Sequence, residues 1–339
     1  MKDRDKDFEK QLPHGAVPTN LRGVYALPPL PVGFDPNAAT PAALIRNGIL
    51  WKRPAQDDHP ALVKAWRDAF SRRWDRIVPR MEVGHGRETY STEGTPQVAA
   101  PIHTDTWSGV VCLNPFSDIG KNVTVTAQWV VPTVRLLPTS PFGAINNLPG
   151  AFGQDSSSWI GLGGVGDDPT QTNLLQAGIQ HYVLNTGEAH YIAWYEWLVT
   201  GADAGKYPYI NQTPASLVVR PGDTISASVQ HDPIAGYVSL GNQTTGKAFS
   251  MVLPPPQAQA APFVGGSAEW ILEAPGGGSA FDHYLPDITP VVFTNAIVCG
   301  PGARDVLDPS SGLTTAYRDQ YIEMVVEVAA TGGLTIRHK

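Results

Sequence analysis

From about residue 102 to the end of the chain, apolar and polar residues alternate with a period of two, in short runs separated by turn residues. No other feature limits the possible folds as much. The runs fall at 107–113, 122–131, 157–162, 173–181, 190–198, 216–219, 223–230, 236–240, 248–253, 268–273, 290–298, 321–328 and 334–337. Asp167-Asp168-Pro169, Asn185-Thr186-Gly187, Pro221-Gly222-Asp223 and Asn242 to Gly246 punctuate them. About a dozen short strands with no helices between them predict an antiparallel sandwich or barrel. The number exceeds what a small immunoglobulin-type domain holds and fits a larger double sheet.

The first hundred residues have a different texture. Pro28, Pro29, Pro31 and Pro36 favour extended backbone, so 1–40 reads as a linker or tail. Residues 41–50 suit a short helix. The strongest helical pattern runs over 60–78, where Leu62, Trp66, Phe70, Trp74 and Ile77 form one apolar stripe. Pro60 fits its first turn and Pro79 ends it. Residues 84–101 return to linker composition. The chain thus divides into an N-terminal, partly helical leader over 1–100 and a β-domain over 101–339.

Charge divides at the same place. Residues 1–100 hold 15 Lys and Arg against 12 Asp and Glu, and 101–339 hold 9 against 19. The overall charge of −7 argues against a nucleic-acid partner, whose footprint is basic. No apolar run reaches the roughly 18 residues of a membrane span. Residues 1–10 are charged throughout and do not read as an ordinary signal peptide.

Several chemical motifs fail on context. Gly161-Leu162-Gly163-Gly164-Val165-Gly166 has dinucleotide-loop spacing, but a turn follows where that loop needs a helix. The nine histidines show neither H-x-x-x-H spacing nor a neighbouring C-x-x-C, so no metal site is expected. No G-x-S-x-G elbow is present. Cys112 and Cys299 allow one bridge or two buried thiols. Asn122, Asn211 and Asn242 head glycosylation sequons, meaningful only in a eukaryotic secretory chain.

Polar residues inside strands carry more information. Gln176 interrupts an apolar strand, Glu196 lies among aromatics in Tyr191 to Trp197, and Glu269 and Glu273 share one face of 268–273. Singly, each suits the wet side of a half-exposed strand. Three such strands, each close to tryptophan, suggest one aromatic-lined polar cleft. A carboxylate pressed against indole rings is expected to have a raised pKa, useful for acid–base work in acid.

In order, the chain reads Thr106-Trp107-Ser108-Gly109, Val130-Val131-Pro132, Ser158-Trp159-Ile160-Gly161, Leu175-Gln176-Ala177-Gly178, Ala193 to Trp197, Pro221-Gly222-Asp223, Asn242 to Lys247, Ala268 to Glu273 and Phe293-Thr294-Asn295-Ala296. In this series it resembles the glutamic peptidases, or eqolisins, over roughly 103–298. The resemblance implies an all-β, concanavalin A-like sandwich of two antiparallel sheets. It implies a monomeric acid endopeptidase acting on polypeptides without metal or cofactor, in a secreted or extracytoplasmic setting. It assigns the catalytic dyad to Gln176 and Glu273, and substrate binding to Trp107, Trp159, Trp194 and Glu196. In that mechanism an ionised Glu273 takes a proton from the attacking water and passes it to the leaving amine. Gln176 orients the water and donates to the oxyanion.

Departures accompany the resemblance. Leu162-Gly163-Gly164, Ile192 and Ala274-Pro275 stand where the fungal enzymes read I-D-G-D, an aspartate, and D-F. Two cleft aspartates are therefore absent, which leaves substrate preference and an extreme acid optimum unsupported. Two alternatives remain: a non-catalytic, lectin-like sandwich binding carbohydrate or peptide, and a glycosidase using Glu196 and Glu273. The leader reads either as a propeptide docked near the cleft through its basic helix and released in acid, or as a segment packed permanently on the back of the sandwich.

Overall fold

In a computed structural model of the chain, the alternating runs become strands of two large sheets. The structure describes residues 9–10, 12–21, 23–49, 51–83, 102–104, 106–113, 123–137, 152–165, 173–199, 210–212, 217–232, 235–253, 266–274, 285–300, 306–318 and 322–339. The expected linker 84–101 lies outside them.

The back sheet has eleven strands. Its main path runs β1 (Val17–Pro18), β2 (Tyr25–Ala26), β15 (Lys247–Leu253), β14 (Gly236–Asn242), β13 (Thr224–His231), β7 (Val123–Val130), β18 (Val291–Cys299), β22 (Leu334–His338) and β21 (Met324–Val328). β3 (Asp75–Arg76) joins β15, and β19 (Val306–Leu307) joins β18. The nine-stranded front sheet runs β4 (Met81–Val83), β12 (Ile210–Gln212), β11 (Ala189–Val199), β10 (Asn173–Leu184), β9 (Phe152–Gly163), β16 (Ser267–Glu273), β6 (Trp107–Leu113), β20 (Leu313–Tyr317) and β5 (Ile102–Thr104). β8 (Val134–Arg135) and β17 (Asp287–Ile288) form a separate ribbon. Pairing among these strands is antiparallel except at β15–β3 and β20–β5. This is the all-β double sheet that the sequence period predicts.

Alternation sorts the side chains. From the back sheet Val125, Ala127, Trp129, Ile225, Val229, Leu240 and Phe249 point inward; from the front sheet Leu175, Ala177, Ile179, Tyr195, Ile160, Trp270 and Leu272 meet them. Trp270 ties the layers together, its indole N–H donating to Thr126 O of the back sheet at 2.9 Å. That bond lets a large ring be buried without an orphan donor. Truncation to Ala is expected to cost about 3–5 kcal/mol. The front sheet is buried on its outer face as well: all seven residues of β16 are buried. There Trp107, Val111, Trp159, Leu174, Trp194 and Ile271 make a second apolar cluster.

The leader differs from its sequence reading. Residues 17–18 and 25–26, expected as tail, are strands: 25–26 pairs with β15 and 17–18 pairs with 25–26. The helix α1 (Pro41–Arg46) is capped by the Thr40 hydroxyl. The long helix expected over 60–78 is α2 (Pro60–Ala69) and stops ten residues in. Two contacts end it. The Trp74 indole donates back to Ala69 O at 2.7 Å, satisfying a terminal carbonyl. Residues 75–76 pair with Lys247 and Ala248, so a strand replaces the last helical turns. Leu62 and Ala65 of α2 pack on Ile297 and Cys299 of β18, while Trp66 joins Leu30, Leu44 and Ile49. Helix α2 therefore rests on the back sheet.

Smaller expectations also resolve. The described part of 216–219, residues 217–219, is not a strand, whereas 324–328 and 334–338 pair with each other and 334–338 joins β18. Cys112 and Cys299 are free buried thiols in different sheets. Burial pushes both up to about 12, helped at Cys112 by Glu269 and Asp308. The Asn242 side chain is fully buried and bonded to Asp223 and Val218 O, so this sequon is part of a turn.

Candidate active site

Pairing register fixes which polar residues share the outer face of the front sheet. One row crosses four strands as Glu196, Gln176, Gly161 and Glu269. The next row, two residues along, is Trp194, Gly178, Trp159 and Ile271. The third is Ile192, Gln180, Ser157, Glu273 and Trp107. Every expected site residue thus lies on one face: Gln176, Glu273, Trp107, Trp159, Trp194 and Glu196.

Their order within the face differs from the sequence reading. Strands about 4.8 Å apart and a rise of about 3.4 Å per residue put Gln176 and Glu269 about 10 Å apart at Cα, but Gln176 and Glu273 about 17 Å apart. Side chains reach about 4 Å from Cα, so one water spans the first gap and not the second. Gly161 stands between Gln176 and Glu269 and contributes no side chain. A Cβ there would lie 2.8 Å from Leu174 Cδ1 and 3.3 Å from Gln176 Cβ.

The hydrogen bonds divide the carboxylates by task. Gln176 Nε2 donates to Glu196 Oε2 at 2.9 Å. Glu196 Oε2 accepts this bond, so the NH₂ end of the amide faces Glu196. Gln176 Oε1 and both oxygens of Glu269 make no hydrogen bond among the described residues, although both side chains are fully buried. Such groups are uncommon in a folded interior and call for a functional account. Burial pushes Glu269 well above the ordinary carboxylate range, opposed only by the nearby Ser267 hydroxyl. Glu273 accepts from the Trp159 indole N–H at 2.8 Å. Trp159 meets Trp107 edge-on, with centroids 5.1 Å apart, and Trp194 donates to Ser157 Oγ at 2.9 Å. Gly178 makes room for this indole group, since a Cβ on it would meet Ser158 O at 2.3 Å and Trp159 Cβ at 2.5 Å.

Two further groups escaped the sequence reading. On the same face, Gln180 Nε2 donates to the buried Asp155 at 3.1 Å, repeating the Gln176–Glu196 pattern. On the opposite, core-facing side, His181 lies between Ser156 Oγ at 2.9 Å and Ser158 Oγ at 3.0 Å. This Ser–His contact points between the sheets, where no substrate reaches. No cluster of three or more metal-ligating side chains occurs among the described residues, and no described helix is long and apolar enough to cross a membrane.

The fold and this face define a class: a two-sheet β-sandwich that holds a carboxamide and several carboxylates against tryptophans on its front sheet. The sequence model of the peptidase A4 family matches residues 105–336, and the chain belongs to that family. Scytalidopepsin B of Scytalidium lignicola is 30% identical over 142 residues, which are 40% of this chain and 48% of that protein; the match spans about half the relative's length. Aspergillopepsin-2 of Aspergillus niger is 26% identical over 243 residues, 66% of this chain and 76% of the relative. Among solved structures, tailspike protein 2 of an Escherichia coli O157:H7 bacteriophage aligns at 13% identity and a TM-score of 0.31, over 60% of this chain and 27% of its own. That likeness is too loose to bear on fold or activity.

Proposed function

We propose that the chain is an endopeptidase that hydrolyses peptide bonds in polypeptides in acid, with Gln176 and Glu269 as its dyad. The observation that carries this reading is the row Glu196–Gln176–Gly161–Glu269, in which Gln176 and Glu269 flank a glycine on one sheet face and Gln176 Oε1 and both Glu269 oxygens have no hydrogen-bond partner among the described residues. A water has two protons to donate, and Gln176 Oε1 and a Glu269 oxygen are two acceptors. Held so, the water presents its lone pair to a carbonyl carbon above the face. In its ionised form Glu269 takes a proton as the water attacks and returns it to the amine as the C–N bond breaks. Because burial raises its pKa, that base form is a minority at low pH, and turnover should climb as pH rises toward the folded value. The Gln176 amide, oriented by Glu196, donates its second N–H to the developing oxyanion. Glu273, to which the sequence reading gave the base role, instead anchors the Trp159 indole, and with Trp107 and Trp194 it shapes the wall against which substrate side chains pack.

The test is casein digestion at pH 3–5 with pepstatin present, comparing wild type, Glu269→Gln, Glu273→Gln and Gln176→Ala, each shown to be folded by circular dichroism. Loss of turnover in Glu269→Gln and Gln176→Ala, with turnover retained in Glu273→Gln, supports this assignment. Loss confined to Glu273→Gln and Gln176→Ala returns the base role to Glu273. Undiminished activity in all three leaves a binding sandwich as the better reading.

A further inference from the structure

The outer face of the back sheet carries a second, unrelated arrangement. The leader does not close flush on it. A hollow of about 860 Å³, its open mouth included, remains between residues 48–76 and strands β7, β13, β14 and β15. Its floor is a row of hydroxyls crossing the sheet: Thr126, Ser228, Ser239 and Ser250 occupy matched register positions. Trp51, Phe70 and Trp74 form the leader-side wall.

Arg76 projects into this space from β3. It is buried, at 7% exposure, and burial pushes it down to about 10. Its side chain has one hydrogen bond, from Nη1 to Asn47 O at 2.8 Å, and forms no ion pair among the described residues. A guanidinium carries five donors in a planar fork, so most of its capacity is unused. Among the described residues Ser228 also makes no side-chain hydrogen bond, while Ser239 donates to Ser250 at 2.7 Å. Buried charges are ordinarily paired, and a lone arginine above hydroxyls and beside aromatic rings has the composition of a ligand site.

We infer that this hollow binds a small monocarboxylate with an aromatic or aliphatic body, its carboxylate on Arg76 and the floor hydroxyls and its body against Trp51, Phe70 and Trp74. A planar fork matches a carboxylate through two parallel bonds. A single cation and largely apolar walls favour one negative charge on a greasy frame over a phosphate. Such a carboxylate belongs either to a free organic acid or to a peptide C-terminus. The bound acid would bridge leader and sandwich, because Arg76 belongs to one and the hydroxyls to the other. The site is on the sheet opposite the proposed dyad and does not depend on the peptidase reading.

The test uses the full-length chain at neutral pH with 3-phenylpropionate and N-acetyl-phenylalanine, and the amide of each as control. Binding is read by calorimetry and by the fluorescence of the lining tryptophans. The expected result is saturable binding of at least one acid, at least about tenfold tighter than its amide. Tighter binding of N-acetyl-phenylalanine assigns the site to peptide C-termini, and tighter binding of 3-phenylpropionate to free acids. Arg76→Gln should erase the preference for acid over amide. Ser228→Leu, which fills the floor and keeps the arginine, should weaken binding about tenfold and covers the case in which Arg76→Gln does not fold. No saturation by either acid up to about 10 mM, far above the affinity of a built site, overturns the proposal. So does equal binding of acid and amide, undiminished binding in folded Ser228→Leu, or loss of binding in Glu269→Gln, which would put the probe in the front-sheet cleft.

Discussion

Gln176 on β10 and Glu269 on β16 face each other across the bare backbone of Gly161, in a single register row of the front sheet. Glu273, four residues along the same strand, is bound instead to Trp159. The two glutamates of one strand face thereby acquire different environments, one without a hydrogen-bond partner among the described residues and one held by an indole.

Their substitutions should separate. Glu269→Gln is expected to lower kcat by about 10²–10⁴, as loss of a general base does, and Gln176→Ala by about 10²–10³, as loss of an oxyanion donor does. Glu273→Gln should chiefly raise KM, because it loosens Trp159 and leaves the dyad in place. Steady-state kinetics on a fluorogenic peptide, with folding verified, checks all three.

The raised pKa of Glu269 gives stability a defined pH dependence. A carboxyl that holds its proton more tightly when folded stabilises the fold fully below the ordinary value of about 4.3, and that contribution is lost as pH rises through the folded value. Glu269→Gln removes the titrating group. Its melting temperature should match wild type near pH 3 and exceed it increasingly toward neutral pH. A Tm difference that does not change with pH would contradict the burial of an ionisable Glu269.

Gly161→Val should disable the row without replacing either dyad residue. The new methyls would enter space held by Leu174, Trp159 and Gln176, at 2.8–3.3 Å from an added Cβ. Overpacking of this kind costs about 1–3 kcal/mol. Activity should fall much further than stability, which parallel thermal melts and turnover assays would reveal.

On the proposed peptidase reading, the leader should stay attached during turnover. Helix α2 packs on β18, and the row of strands reaches into residues 17–26 and 75–83. Incubation of full-length protein at pH 4, followed by mass spectrometry and activity over time, is expected to show full activity with residues 1–100 intact. Activity that appears only as those residues are lost would assign them a propeptide role.

Most of the sandwich was legible because period-two alternation records sheet faces directly: 107–113 and 223–230 become β6 and β13 within one residue at either end. Two-residue strands such as β1 and β3 carry no period and were invisible. Helix α2 was overextended because Trp74 and Ile77 continue its stripe, whereas in space they serve the β15 edge. Period also put Glu269 and Glu273 on one face but said nothing of register. Only the offset between β10, β9 and β16 decides which glutamate meets Gln176. The buried arginine was similarly hidden: in sequence Arg76 is one of several basic residues on an expected helix face, and only its pairing as a strand turns it inward.

The leader's short strands have a consequence for the molecule as a solute. β2 and β3 cover the outer rim of β15, and β4 covers β12, so one segment closes an open rim on each sheet. An uncovered strand rim offers a row of unpaired N–H and C=O groups to any similar strand of another molecule. A chain trimmed to 101–339 would carry two such rims. Its first failure should then be self-association by strand addition, with the sandwich of each copy still folded.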